Sequence, residues 1–340
     1  PIMRLTLIPY QLELAHTFSI SRESHDFQDS LIVCLSHEGH SGYGEATANG
    51  YYQITSASMA KEIEMCKVSL EAHDFKTPEL FYELLGTLSL SNFSKCALDL
   101  AAWDLFGKIK NTPLYKIWNT DLQNLAKTNY TIGIDSIEKM VAKLEEKPWP
   151  IYKIKLGTSQ DIEIVKALRA KTNAVFRIDA NCAWEVEETI VNAQTLKDLG
   201  VEFIEQPMAA DRWEDMKKVF ETSCLPLMAD ESCLVPEDVA KCVGHFHGIN
   251  IKLTKCGGIT PALSMIKEAK ALGLKVMIGC MTESSVGISA IGQLLPQLDY
   301  VDMDGALLLK KDIAKGIIIN EDASLTYPNL GGSGVELLHL

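Results

Sequence analysis

The sequence predicts a parallel β/α barrel preceded by a smaller α+β domain, and three observations predict it. Short β-rich apolar runs recur about every 22 to 28 residues from Asn129 onward. The segments between them carry helical patterns, which is the alternation of a parallel sheet with crossover helices. Polar residues stand at or just after the C-terminal ends of the runs, where barrel enzymes build their sites.

Residues 1 to about 117 read as the first domain. LTLIPYQLEL and DSLIVCLSHEG alternate like strands, and HEGHSGYGEAT adds turn glycines. ITSASMAKEIEMCKVSLEA and KCALDLAAWDLFGKIKN follow with helical patterns. The second carries Ala97, Leu98, Ala101, Leu105 and Phe106 on one face. GYGEAT (42–47) lacks the GxGxxG pattern of a phosphate loop and does not open a helix.

The barrel runs are TNYTIGI, YKIKLG, VFRIDA, VEFIEQ, LPLMAD, GINIKL, KVMIGC and YVDMDG. Their near-continuous apolar character suits strands buried on both faces. A helical segment is expected between each pair. The tail from Lys315 has no helix-sized period and is expected to return to the first domain.

Composition removes several function classes. The chain has 340 residues, 47% of them apolar, and a net charge of −13. Nucleic acid and anionic membrane surfaces both demand a basic face. No run approaches the ~20 apolar residues of a membrane span. The polar and charged residues in PIMRLTLIPYQLELAH argue against a signal peptide. Nine cysteines without a CxxC pair read as reduced thiols of a cytoplasmic protein. Sparse histidines without HxH or HExxH disfavour zinc.

Three acids end consecutive runs: Asp179 in FRIDAN, Glu205 in EFIEQP and Asp230 in LMADES, spaced 26 and 25 residues apart. Each alone could cap the helix after its strand. Three in register on adjacent strands point instead to a metal site, and carboxylate-only ligation suits Mg²⁺. Lysines bracket them. Lys153 and Lys155 are i and i+2 on one strand and share a face. Their mutual repulsion and burial are expected to lower a lysine pKa toward that of a base. Lys252 lies on the sixth strand, nearly across the barrel, so one carbon could lose a proton from one face and regain it on the other. These lysines could instead form structural salt bridges with the acids. Lys255, just past its strand, reads as a surface residue.

Asp302 and Asp304, in YVDMDG, are also i and i+2. With no metal-ligand residue nearby, the pair could clasp an ammonium group; Asp-Gly is equally a turn signal.

These motifs together resemble the enolase superfamily, and within it the muconate lactonizing enzyme branch. The resemblance runs from GYGEAT through KxK, DAN, EQP, ADES and NIKL to the Gly-rich tail. It implies a (β/α)7β modified TIM barrel over 118–317. An N-terminal α+β capping domain, 1–117, would be completed by the return 318–340. The Asp302-Met303-Asp304 segment resembles the DxD signature of dipeptide epimerases. The resemblance implies one Mg²⁺ per subunit on Asp179, Glu205 and Asp230, with Lys155 and Lys252 as acid/base pair working through an enediolate. Lys153 would assist the substrate carboxylate. Asp302 and Asp304 would bind the dipeptide ammonium, and Thr131, Cys280 and Thr282 fall at substrate-contact positions. Cys182 stands where relatives often carry glutamine. In the loop TFSISRESHDFQDS, Arg22, ahead of His25, is the candidate partner of a glutamate side chain. An Ala-Glu dipeptide from cell-wall peptide is the first expectation, with hydrophobic second residues also open, in a cytoplasmic homo-oligomer.

Other readings differ in what they require. A cycloisomerase, an o-succinylbenzoate synthase and an N-acylamino acid racemase have substrates without a free ammonium for Asp302 and Asp304. A barrel that only binds would not need the lysines and acids together. A Schiff-base aldolase needs one lysine of lowered pKa and no acid triad.

Overall fold

The computed structural model describes residues 2–19 and 24–338, and the side chains among these except those of 16–19 and 24–25. The first domain opens with an antiparallel sheet of β1 (Arg4–Ser19), β2 (Ser24–His37) and β3 (His40–Thr47), in that order. Alternation along β2 sends Leu31, Val33 and Leu35 into a core shared with α1 (Ser56–Ala72), α2 (Pro78–Leu85) and α3 (Asn92–Ile109). Thr55, Thr77 and Ser91 cap these helices with their hydroxyls.

The glycines of GYGEAT serve packing. A Cβ on Gly44 would collide with the Ala97 carbonyl, and one on Gly42 with the Ala101 carbonyl. Glycine at both positions lets β3 lie directly on the backbone of α3.

The barrel strands are β4 (Tyr130–Ile132), β5 (Ile151–Lys155), β6 (Val175–Asp179), β7 (Val201–Glu205), β8 (Leu227–Ala229), β9 (Gly248–Ile251), β10 (Lys275–Gly279) and β11 (Tyr300–Asp302). They form one eight-stranded parallel sheet in sequence order. A parallel bridge from Thr128 to Val301 brings its two edges together. After the short helix α4 (Leu114–Ile117), the crossovers carry α5 (Ile137–Glu146), α6 (Asp161–Arg169), α7 (Val186–Asp198), α8 (Trp213–Thr222), α9 (Leu253–Cys256), α10 (Ile259–Ala271) and α11 (Ser285–Leu294).

One connection departs from the expected helix. Between β8 and β9 the chain makes two 3₁₀ turns, Pro236–Asp238 and Ala240–Cys242. Pro236 starts this segment, Gly244 ends it at φ +78°, and the stretch between is too short for three α-turns.

Strand parity divides the barrel. Tyr152, Ile154, Phe176, Ile178, Ile204, Ile249, Ile251 and Ile278 face outward into the main core with the helices. Of the inward set, Phe203, Met228, Met277 and Tyr300 fill the lower barrel as a separate apolar cluster. Arg177 lies against the rings of Phe203 and Tyr300 and pairs with Glu202 at 2.9 Å. Two residues beyond Phe203, Met228 and Tyr300 toward the C-terminal ends stand Glu205, Asp230 and Asp302: a plugged floor carries a polar mouth.

The first domain is fixed to that mouth by carboxylates set on barrel helix N-termini. Glu45 accepts from the Ser284 hydroxyl (2.6 Å) and the Gly287 amide (3.0 Å) at the start of α11. Asp99 accepts from the Thr260 amide and hydroxyl, both at 2.8 Å, at the start of α10. Both acids answer the unpaired amides and positive end of a helix. The tail pairs β12 (Ala314–Lys315) with β15 (Glu336–Leu337), and β13 (Ile318–Ile319) with β14 (Leu325–Thr326). It reaches α3 through Ser333, whose amide donates to Asp104 at 2.9 Å, and through Lys108, whose ammonium donates to the Val335 carbonyl at 2.6 Å.

Candidate active site

Strand order determines which charged residues meet. Lys155 ends β5 and Lys252 follows β9, four strands apart in an eight-stranded ring and therefore on opposite sides. Between them on one arc come β6, β7 and β8 with Asp179, Glu205 and Asp230. On the other arc come β10, β11 and β4 with Cys280, Asp302, Asp304 and Thr131. The register pairs Lys155 with Asp179 and Asp179 with Glu205, so these side chains stand at one level.

On the first arc each acid meets a lysine. The Lys155 ammonium donates to Asp179 at 3.0 Å, and Lys252 donates to Asp230 at 2.8 Å. Lys153 lies 3.4 Å from Asp179 and 3.6 Å from Glu205, while its shortest contact, 2.8 Å, is to Asp302 across the mouth. Asn250 donates to Glu205 at 3.2 Å. A Cβ on Gly279 would lie 2.7 Å from the Lys252 Cε and the Asn250 side chain, so a side chain there would displace both.

On the second arc Asp302 takes Lys153 and the Asn129 amide (2.9 Å). Asp304 accepts the Thr131 N–H at 2.5 Å and the Cys280 thiol at 3.8 Å. Contrary to the expectation of no metal-ligand residue nearby, Cys280 lies beside the pair: its sulfur and the two carboxylates fall within 4.8 Å of one another. Thr282 is buried and lines the same cavity. Arg22 lies outside the described residues, as does the side chain of His25.

The charge states correct the expected lowering of lysine pKa values. Burial does pull Lys153 and Lys252 down, but carboxylates outweigh it. Asp302, Glu205 and Asp179 hold Lys153 well above the ordinary lysine value, and Asp230 raises Lys252. For the carboxylates, burial is again the largest influence. It pushes Glu205 up to about 8, with Asp179 and Asp230 adding to it. Asp230 is held well below the usual range by Lys252 and Lys255 despite burial. Asp304 is pushed well above it by burial and then by Asp302.

The β6–β8 acids fit a hard divalent cation. Their donor atoms are all carboxylate oxygens, and Glu205 is a buried carboxylate that the chain's own cations do not neutralise. The Cys280–Asp302–Asp304 cluster suits such an ion less well. Burial keeps its thiol protonated, and Lys153 already occupies Asp302.

The structure adds residues that the sequence reading passed over. Lys255, read as a surface residue, is buried and donates to Asp230 at 2.7 Å. It rides on the single helical turn of α9, which turns it back into the mouth; its i+3 spacing from Lys252 is the signal that could have found it. Glu231, next to Asp230, is buried and accepts the Cys182 thiol at 3.1 Å. Asn181 and Cys182 bend away from β6 at φ +48° and +67°. From the first domain, Gln28, Asn49, Tyr51 and Tyr52 close the cavity, which measures ≈ 120 Å³. Burial, then Asp230 and Glu231, push the Tyr52 phenol pKa up.

Comparison with known proteins agrees with this architecture. Residues 3–118 match the family described as Mandelate racemase / muconate lactonizing enzyme, N-terminal domain, and residues 135–339 the family described as Enolase C-terminal domain-like. The chain is 64% identical to a protein of Maribacter sp. named L-Ala-D/L-amino acid epimerase, over 98% of this chain and 99% of that one. It is 60% identical to a Flavobacterium johnsoniae protein of the same name, over 99% and 100%. Its fold superposes with a TM-score of 0.94 on a dipeptide epimerase from Cytophaga hutchinsonii complexed with Mg and D-Ala-L-Val, at 25% identity, covering 99% of this chain and 96% of that one.

Proposed function

The chain belongs to the mandelate racemase / muconate lactonizing enzyme family of the enolase superfamily, and on that premise we propose that it epimerises dipeptides at the α-carbon of their C-terminal residue. One observation carries the reading: carboxylates for a cation on one arc of the mouth, anions for an ammonium on the other, and a lysine at each junction. A dipeptide zwitterion is charged in that sense. Its carboxylate would face β6–β8, its ammonium would face Asp302 and Asp304, and its C-terminal α-carbon would lie between Lys155 and Lys252.

Asp179, Glu205 and Asp230 would hold one Mg²⁺. Bound there, the ion supplies positive charge against the negative charge that develops on the substrate carboxylate. Lys153, between both acid groups, adds an ammonium on the same side. One of Lys155 and Lys252 takes the α-proton as a neutral amine, and the other returns a proton from the opposite face. Asp304 and Asp302 set the register by clasping the ammonium, helped by the Thr131 amide and the Asn129 side chain. Muconate, succinylbenzoate and N-acylamino acids offer nothing to that clasp.

Described residues of the first domain that line the cavity, Gln28, Thr47, Ala48, Asn49, Tyr51 and Tyr52, are all neutral. The names of the 64% and 60% identical relatives support widening the expected Ala-Glu specificity toward L-Ala-L-Xaa with varied Xaa. The test is a dipeptide library with Mg²⁺ in D₂O, read by mass. Deuterium should enter many L-Ala-L-Xaa members at one position. Exchange confined to compounds without a free amine would overturn the reading.

A further inference from the structure

Tyr52 lines the mouth and carries an unexplained polar atom. Its hydroxyl oxygen is buried and has no hydrogen-bond partner. Leaving a buried hydroxyl unpaired is costly, so such an atom calls for a reason. The ring is held firmly. Its backbone N–H donates to the Asn49 side chain at 3.3 Å. Tyr51 packs edge-on at 4.8 Å between centroids, and Phe93 lies at 6.0 Å. The Lys255 ammonium sits 5.1 Å from the ring centroid while bonded to Asp230. Tyr52 therefore reaches from the first domain over the β8–β9 side of the mouth, the side of Asp230 and Lys252, where it lines the cavity.

We propose that the Tyr52 phenol donates a hydrogen bond to the carboxylate of the residue being epimerised. A phenol is protonated at neutral pH and is a donor suited to a carboxylate oxygen. The free protein keeps the hydroxyl unsatisfied, and the substrate satisfies it. The first domain thereby touches the reacting residue itself, in addition to closing the cavity. This rests on the dipeptide reading above.

The experiment is Tyr52→Phe, which keeps the ring, its packing and the Lys255 contact. With wild-type protein active on L-Ala-L-Xaa, the variant should lose about 10- to 100-fold in kcat/KM, the worth of one hydrogen bond to a charged group. The loss should be uniform from Xaa = Val and Leu to Gln and Glu, because every member carries the carboxylate. The melting temperature without substrate should hold or rise, since an unpaired buried hydroxyl has gone. Wild-type kcat/KM in the variant overturns the proposal. So does a loss confined to polar Xaa, which would place the phenol on the side chain. A lowered melting temperature with unchanged KM overturns it as well, because it makes the hydroxyl structural. Failure of the wild type on every dipeptide would instead sink the underlying reading.

Discussion

The two arcs of the barrel mouth both hold buried carboxylates, and on each arc one carboxylate is held below the usual range while another is pushed above it. On β6–β8, Asp179 and Asp230 each pair with a lysine, and although burial pushes Asp230 up, Lys252 and Lys255 hold it well below the usual carboxylate range. On β10–β11, Asp302 takes Lys153, while Asp304, which accepts from the Thr131 amide and the Cys280 thiol, is pushed well above that range by burial and by its contact with Asp302. Carboxylate state here follows from the cations that the strand order brings within reach, not from residue type. Burial is the larger cause at Glu205, which rises to about 8 because Lys153 at 3.6 Å does not offset its burial and the acids on both sides.

The largest expected effect lies where the arcs join. Lys155→Ala or Lys252→Ala should reduce epimerisation by about 10³-fold or more, with the circular dichroism spectrum unchanged. In one variant, α-proton exchange in D₂O from a single substrate enantiomer should persist, because the remaining lysine still addresses its own face. Epimerisation at the wild-type rate in both would remove the two-base assignment and, with it, the reason for lysines at both junctions.

The second arc is probed by Asp304→Asn. Loss of the carboxylate that would ionise against the bound ammonium should lower kcat/KM on free dipeptides by about 10- to 100-fold. The preference for free over N-acetylated dipeptides should shrink in parallel. An undiminished preference would mean that the arc does not read the ammonium.

The first arc is probed by pH without divalent metal. Glu205 rises from an ordinary 4.5 to about 8 in the folded chain, chiefly by burial. The folded state then binds its proton more tightly than the unfolded one. Its contribution to stability is full below pH 4.5 and is lost as the pH rises through 8. In EDTA, Glu205→Gln should therefore melt above wild type at pH 8, and the gap should close toward pH 5. Added Mg²⁺ should raise the wild-type melting temperature and leave the variant nearly unmoved. A gap independent of pH would contradict the assignment of Glu205 as the uncompensated acid.

The smallest effect is expected at Cys280. Its bond to Asp304 spans 3.8 Å, and serine preserves a donor. Cys280→Ser should change kcat/KM by less than about tenfold. A larger loss would give the thiol a part in the ammonium clasp beyond filling space.

Much of this site was legible in local patterns. The i, i+2 spacing of Lys153 and Lys155, and of Asp302 and Asp304, places each pair on one face of its strand whatever the neighbours are. The three acids at strand ends were legible for the same reason. Lys255 was not, because a single turn of helix after β9 turns it inward, and that turn has no periodicity to read. Tyr52 was hidden too, since its role depends on a first-domain loop laid over β8 and β9. The lysine pKa direction was misjudged because repulsion between sequence neighbours is visible in the chain, whereas attraction to Asp302, Glu205 and Asp230 requires knowing which strands face each other. The helix expected between β8 and β9 failed at Pro236, where proline and a short segment left only 3₁₀ turns.

The chain by itself therefore determined the eight strands, their inward parity and the residue types at their ends, all properties of a two-residue repeat and of crossover length. Tertiary structure alone decided that Lys153 bridges to Asp302, that Asp230 serves Lys252 and Lys255 together, and that Tyr52 lines the mouth. Barrel closure and domain docking bring together groups 22 residues apart, as in Asp230 and Lys252, and 149 apart, as in Lys153 and Asp302, and Coulomb and hydrogen-bond energies depend on distance in space, which no local pattern encodes.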